Sequence, residues 1–128
     1  MKLTEVDIVV PCLNEELYIE KCINSVLEQE GEGFAISLFV VDGMSDDNTR
    51  SIVTHYQSKF PKQVHLVDNP DRVTPIALNK GIERGNAEVV VILGAHAELL
   101  PNFIAENIKL LQKHKDCGCV GGVLHQID

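Results

Sequence analysis

Short β-branched runs alternate with amphipathic helical stretches along this chain, and that alternation constrains the fold more than any other feature. Val6-Asp7-Ile8-Val9-Val10 is a β-branched run ended by Pro11. Asn14-Glu15-Glu16 follows as a capping residue and two acids suited to a helix N-terminus. Ile19, Cys22, Ile23, Val26 and Leu27 then recur at the three-and-four spacing of one helical face, up to Gly31 and Gly33. Ile36 to Val41 is nearly continuously apolar, as a strand covered on both faces reads, and the segment from Asp42 to Asn48 turns it into a second helix carrying Ile52, Val53 and Tyr56. Val64-His65-Leu66-Val67 predicts a third strand, and Thr74-Pro75 opens a third helix running to about Gly85. Glu88 to Leu93 is a fourth strand. Pro101 starts a fourth helix with Phe103, Ile104, Ile108 and Leu111 inward, and Gly118 to Leu124 is a last strand.

Strands and helices in strict alternation, with short connections, predict an α/β fold: three layers, α/β/α, around a mostly parallel, Rossmann-like sheet with right-handed crossovers. Such sheets bind ligands at the carboxyl ends of their strands. Those ends carry residues 11–15, 42–47, 68–72 and 94–98.

The 128 residues suit one domain, spanning 1–128. A formal charge of -8 argues against a nucleic-acid partner, whose affinity rests largely on Lys and Arg displacing counterions. No apolar run approaches the roughly 20 residues of a membrane span, and the first residues lack the build of a signal peptide. The expected location is the cytoplasm, with the inner face of the membrane as the second option. Cys12, Cys22, Cys117 and Cys119 show no CxxC spacing and are expected to be reduced, small apolar residues.

Acidic and amide side chains gather at every strand end, a pattern suited to hydroxyls, a base edge or a hard cation. A dinucleotide fold would place GxGxxG after the first strand, where this chain has Pro11-Cys12-Leu13-Asn14-Glu15-Glu16. A signalling receiver would want an acidic pair at Pro11-Cys12, and a nucleotidyltransferase would want a glycine- and arginine-rich loop there.

The segments VVPCLNEELYIEKCINSVLEQ, LFVVDGMSDDNT and LNKGIERGNAEVVVILGAHAE resemble, in order, the consecutive blocks of the family 2 glycosyltransferases, in particular bacterial exopolysaccharide-type members. The resemblance covers about Val6 to Leu124. It implies a GT-A fold and a nucleotide-sugar donor of the UDP type. The sugar would pass, with inversion, to a hydroxyl acceptor, a saccharide or lipid-linked saccharide, in polysaccharide or glycoconjugate synthesis. By the same resemblance Pro11, Asn14, Glu15 and Asp42 hold the nucleoside, Asp42 as acceptor for the imide proton of uracil. Arg72 and Lys80 supply cations for the diphosphate, Asn79 supports the pocket, and Ala95 lies against the donor. The residues alone leave other readings open. Asn14 and Glu15 also suit the cap of the first helix, Asp42 a plain turn, Lys80 and Asn79 a solvated helix surface. Asp46 and Asp47 suit the dipole of the second helix.

After the fourth strand the family carries a DxD-type motif whose acids bind ribose and a divalent metal. Here the aligned positions read Gly94-Ala95-His96. The resemblance leaves His96 on the metal side, with Glu98 as candidate for the missing carboxylate. The implied cofactor is Mn2+ or Mg2+, and Mn2+ tolerates an imidazole better. Because Gly94 has no side chain, weak or metal-poor donor binding is expected, and a catalytically inactive nucleotide-binding or interaction module is the competing reading. The family's catalytic base lies downstream of Asp128, so no residue here takes that role. The chain reads as the amino-terminal, donor-binding part of a longer enzyme, inactive alone, and the strand edge it leaves open predicts a homo-oligomer or a marginally stable monomer. His55, His65, His114 and His125 are expected to have no functional part.

Overall fold

A computed structural model of the chain describes residues 3–72, 76, 79, 80, 85, 87, 89–113 and 124–126. The elements are β1 (Thr4–Cys12), α1 (Ile19–Leu27), β2 (Phe34–Asp42), α2 (Thr49–Lys59), β3 (Val64–Asp68), β4 (Val89–Ile92), β5 (Ala97–Leu99), α3 (Phe103–Lys113) and β6 (Leu124–Gln126). β3, β2, β1 and β4 lie side by side in that order and all run parallel. The α/β class and the parallel sheet are therefore as expected.

The order of the strands decides which face of the sheet each right-handed connection covers. β1, β2 and β3 step in one direction, and the chain then returns to place β4 on the far side of β1. Right-handed crossovers in opposite directions must pass over opposite faces of the sheet. On one face Val6, Ile8, Val10, Leu38, Val40 and Val64 pack with Ile19, Cys22, Ile23 and Val26 of α1, Val53 of α2, and Ile104 and Ile108 of α3. On the other, Val9, Phe39, Val41 and Val67 form a smaller cluster. Gly85 lies against Asp7 and Phe39 on that second face, and Ala87 N–H donates to Asp7 Oδ2 at 3.2 Å. The topological switch point is thus between β1 and β4.

Three differences from expectation bear on the site. β1 continues through Pro11 to Cys12. The β1–β4 ladder ends at Val9↔Ile92, and the carbonyl of Val9 points to β4, accepting from Leu93 N–H at 3.0 Å. Pro11, two residues on, faces the same side beyond the end of β4, so its missing N–H removes no ladder bond. α1 starts at Ile19 with no side-chain cap, so Asn14 and Glu15 do not cap it. The third difference is β5, three residues that read as loop in the sequence because alternation over so short a span is no signal. It pairs antiparallel with β6, so the last strand builds a second small sheet. The strand expected at 118–124 is observed at Leu124–Gln126, and residues 118–123 lie outside the described residues.

Of the helix expected from Thr74 to Gly85, Ile76, Asn79 and Lys80 are described, all in helical backbone; the rest, Gly85 apart, lies outside the described residues. Among the described residues no helix is long and apolar enough to cross a membrane.

Candidate functional site

The loops that leave β1 and β2 are laced together by side chains. Asn14 N–H donates to Ser45 Oγ at 2.8 Å, and Asp46 N–H donates back to Asn14 Oδ1 at 2.8 Å. Glu15 N–H donates to Thr49 Oγ1 at 2.8 Å. Glu16 N–H donates to Asp47 Oδ2 at 3.2 Å while Asn48 N–H donates to Glu16 Oε2 at 3.0 Å. Asp47 also accepts from Thr49 N–H and Oγ1–H at 2.9 and 2.5 Å, so it secures the start of α2, as its sequence position suggests. Asn14, Met44 and Arg72, one in each of three successive strand-end loops, have positive φ of 52°, 64° and 60°. Left-handed backbone at non-glycine residues persists only where the surroundings impose it, and it clusters at binding sites.

Asp42 ends β2 and is fully buried. Its Oδ2 accepts from Ser45 N–H and Arg50 Nη1, both at 2.9 Å, and its Oδ1 accepts from Ser45 Oγ and the Cys12 thiol. A carboxylate offers about four acceptor positions, and these partners take them all. In this arrangement the carboxylate organises the loop from beneath, tying Cys12, Ser45 and Arg50 to the end of β2. Burial pushes Asp42 up, but the hydrogen bonds from Ser45 and Arg50 outweigh it and hold the carboxyl below its ordinary 3.8. A depressed carboxyl stabilises the fold above its ordinary value and loses that contribution as pH falls through the folded one. Acid unfolding followed by circular dichroism should accordingly show a shallower loss of stability below about pH 4 in Asp42→Asn than in wild type.

Arg50, in the first turn of α2, was not singled out in the sequence, although it is the one cation between Asp42 and Tyr56. Its guanidinium bridges Asp42 and Asp68, at 2.9 and 2.6 Å. These two carboxylates end neighbouring parallel strands in register, Asp42↔Asp68, which is why a fork-shaped cation is needed there. Arg72, exposed in the loop after β3, donates from Nη2 to the Met44 carbonyl at 3.0 Å and lies across Gly43, beside Leu13. The structure thus brings Asn14, Glu15, Asp42 and Arg72 to one end of the sheet, with Pro11 leading into it.

Other expected residues lie elsewhere. Ala95 is buried and packs in the main core. Asn79 is exposed and Lys80 half-buried, and among the described residues no hydrogen bond or ion pair ties either to the strand-end loops. His65 stacks on Phe39 and His55 meets Tyr56 edge-on. Cys12 and Cys22 are free thiols, and burial pushes the Cys22 thiol up to about 12.

Across the switch point, His96 Nε2 stands 3.0 Å from Glu15 Oε2, and the His96 ring lies against Tyr18 with centroids 4.6 Å apart. The approach lacks the angle of a hydrogen bond, which leaves Glu15 Oε2 enclosed without a donor. Burial pushes the Glu15 carboxyl up, His96 draws it back and Asp47 raises it further. The carboxylate facing His96 is therefore Glu15, not Glu98, which sits in β5 with its charge near the Cys22 thiol. Among the described residues no three His, Cys, Asp or Glu side chains converge on one point.

The family model described as "Glycosyl transferase family 2" matches residues 7–128. A Methanococcus voltae protein, dolichyl N-acetyl-alpha-D-glucosaminyl phosphate 3-beta-D-2,3-diacetamido-2,3-dideoxy-beta-D-glucuronosyltransferase, is 30% identical over 95% of this chain and 40% of its own length. The succinoglycan biosynthesis protein ExoA of Rhizobium meliloti is 31% identical over 70% of this chain and 27% of its own. Among solved structures, the mannosyltransferase PcManGT from Pyrobaculum calidifontis, in complex with GDP-Man and Mn2+, superposes with a TM-score of 0.77 at 29% identity, over 87% of this chain and 33% of that one. S. aureus TarS 1–349 in complex with UDP gives 0.73 at 21% identity, over 90% of this chain and 33% of that one, a likeness of fold. The chain spans 40% or less of these relatives' lengths. With the family model matched over nearly all of its residues and a GT-A architecture shared with these transferases, the chain belongs to glycosyl transferase family 2.

Proposed function

We propose that this chain is the donor-binding part of an inverting glycosyltransferase that takes a sugar from a UDP-sugar and delivers it to a hydroxyl of a saccharide or lipid-linked saccharide. The observation that carries this reading is the family match over residues 7–128, laid on strand-end loops that meet at the switch point of a parallel sheet. The nucleoside rests over Leu13, Gly43 and Arg72, where the guanidinium offsets part of the donor's charge in a chain of net charge -8. Asp42 serves this surface indirectly, by fixing the loop that carries Gly43 and Met44. Calorimetric titration of UDP, with GDP and CDP as comparators, tests the donor reading. UDP binding that weakens in Arg72→Ala, an exposed substitution that leaves the fold intact, is the expected result; a folded chain that binds none of the three nucleotides would overturn it.

Gly94, where the family places an acid, favours a second reading, an inactive nucleotide-binding module. Sugar transfer by a longer protein containing this chain, lost in Arg72→Ala, supports the enzyme. Nucleotide binding without transfer by that protein supports the module.

A further inference from the structure

We propose that Glu15 and His96 form a two-ligand divalent-cation site split across the β1/β4 switch point, in which the carboxylate missing at Gly94 is supplied from the first-strand loop instead. The proposal rests on the donor-site reading above, since the donor's diphosphate completes the coordination.

Glu15 Oε2 is enclosed by protein and accepts no hydrogen bond. A buried carboxylate oxygen left without a donor is costly, and natural structures keep such an atom where an ion, a water or a function accounts for it. His96 Nε2 faces it at 3.0 Å, off the line a hydrogen bond would take. Two ligands at right angles, each roughly 2.0–2.2 Å from an ion, stand roughly 2.8–3.1 Å apart, so the observed separation is that of neighbouring corners of an octahedron. The tilted contact of the His96 ring with Tyr18 fixes its orientation. Two residues before His96 the chain leaves open space: a Cβ built on Gly94 would meet nothing within 4 Å. Hard divalent ions in phosphate-handling sites are commonly held by one or two protein ligands, with substrate phosphates and waters filling the rest. One carboxylate with one imidazole suits Mn2+ better than Mg2+.

The test is Mn2+ titration of the chain, alone and with UDP, read by the electron paramagnetic resonance of free Mn2+, with spin-echo modulation reporting nitrogen bonded to the bound ion. Wild type should bind one Mn2+, more tightly with UDP, and show modulation from an imidazole nitrogen. His96→Ala should lose that signal and at least about tenfold in Mn2+ affinity, and Glu15→Gln should lose as much affinity while keeping the nitrogen signal. Glu98→Gln should bind as wild type does. Mn2+ affinity indifferent to both His96→Ala and Glu15→Gln, loss in Glu98→Gln instead, or no Mn2+ binding by wild type would each overturn the proposal. The titration without UDP keeps the two readings apart. A chain that binds Mn2+ through Glu15 and His96 but no nucleotide retains the cation site and loses the donor assignment.

Discussion

Arg50→Ala is expected to lower the stability of the chain by about 3 kcal/mol, seen in urea as an earlier midpoint with an unchanged slope. The cost does not come from an exposed ion pair, which contributes little. It comes from Asp42, whose carboxylate is fully buried and would lose its one charged partner among the described residues while keeping Ser45 and the Cys12 thiol. Removing one member of a buried pair costs roughly 3–5 kcal/mol, and the lower end applies because the Arg50 side chain is 30% exposed. The contact to Asp68, 59% exposed, adds little to stability but ties β2 to β3. Arg50→Lys should recover only part of the loss, because an ammonium cannot reach both carboxylates as a planar fork does. The double variant Arg50→Ala/Asp42→Asn should be more stable than Arg50→Ala alone, since a buried amide needs no countercharge. Strict additivity of the two single changes would show that the pair is not coupled.

The same residues show what a sequence reveals and what it hides. Ile19, Cys22, Ile23 and Val26 are the buried face of α1, as their spacing requires, because period alone determines which side of a helix meets a sheet. The strand-end loops were equally legible: in a parallel sheet the carboxyl ends must converge, so Glu15, Asp42, Arg72 and His96 belong to one end of the molecule. What each does there depends on contacts between segments far apart in the chain. That Asp42 is held by three segments, at Cys12, Ser45 and Arg50, is nowhere visible in its own stretch of sequence. Asn14 looks like a cap for the helix that follows it, yet its amide oxygen accepts from Asp46, 32 residues on. Glu15 and His96 are separated by the whole sheet in sequence and meet only because β4 returns to lie beside β1. Local pattern sets local structure, whereas the roles of charged groups follow from pairings that no periodicity encodes.

Thr49→Val should cost about 2 kcal/mol and loosen the site with it. Thr49 is fully buried, and valine matches its shape, so the effect isolates the hydroxyl. That oxygen accepts from Glu15 N–H at 2.8 Å and its proton goes to Asp47 Oδ1 at 2.5 Å. A methyl in its place leaves a backbone N–H without its acceptor and removes one partner from Asp47, and an orphaned donor costs roughly 1–3 kcal/mol. Thr49→Ser, which keeps the oxygen, should lose only the smaller share due to a missing methyl. The consequence reaches past stability. Glu15 N–H is the link that fixes the loop carrying the Glu15 carboxylate opposite His96, so amide exchange at Glu15 should quicken in Thr49→Val far more than at core amides such as Val40. If Glu15 exchange stays at the wild-type rate while the midpoint falls, the hydroxyl supports α2 alone. If both move, the start of the second helix is what holds the first-strand loop in place, and the laced loops of β1 and β2 act as one unit.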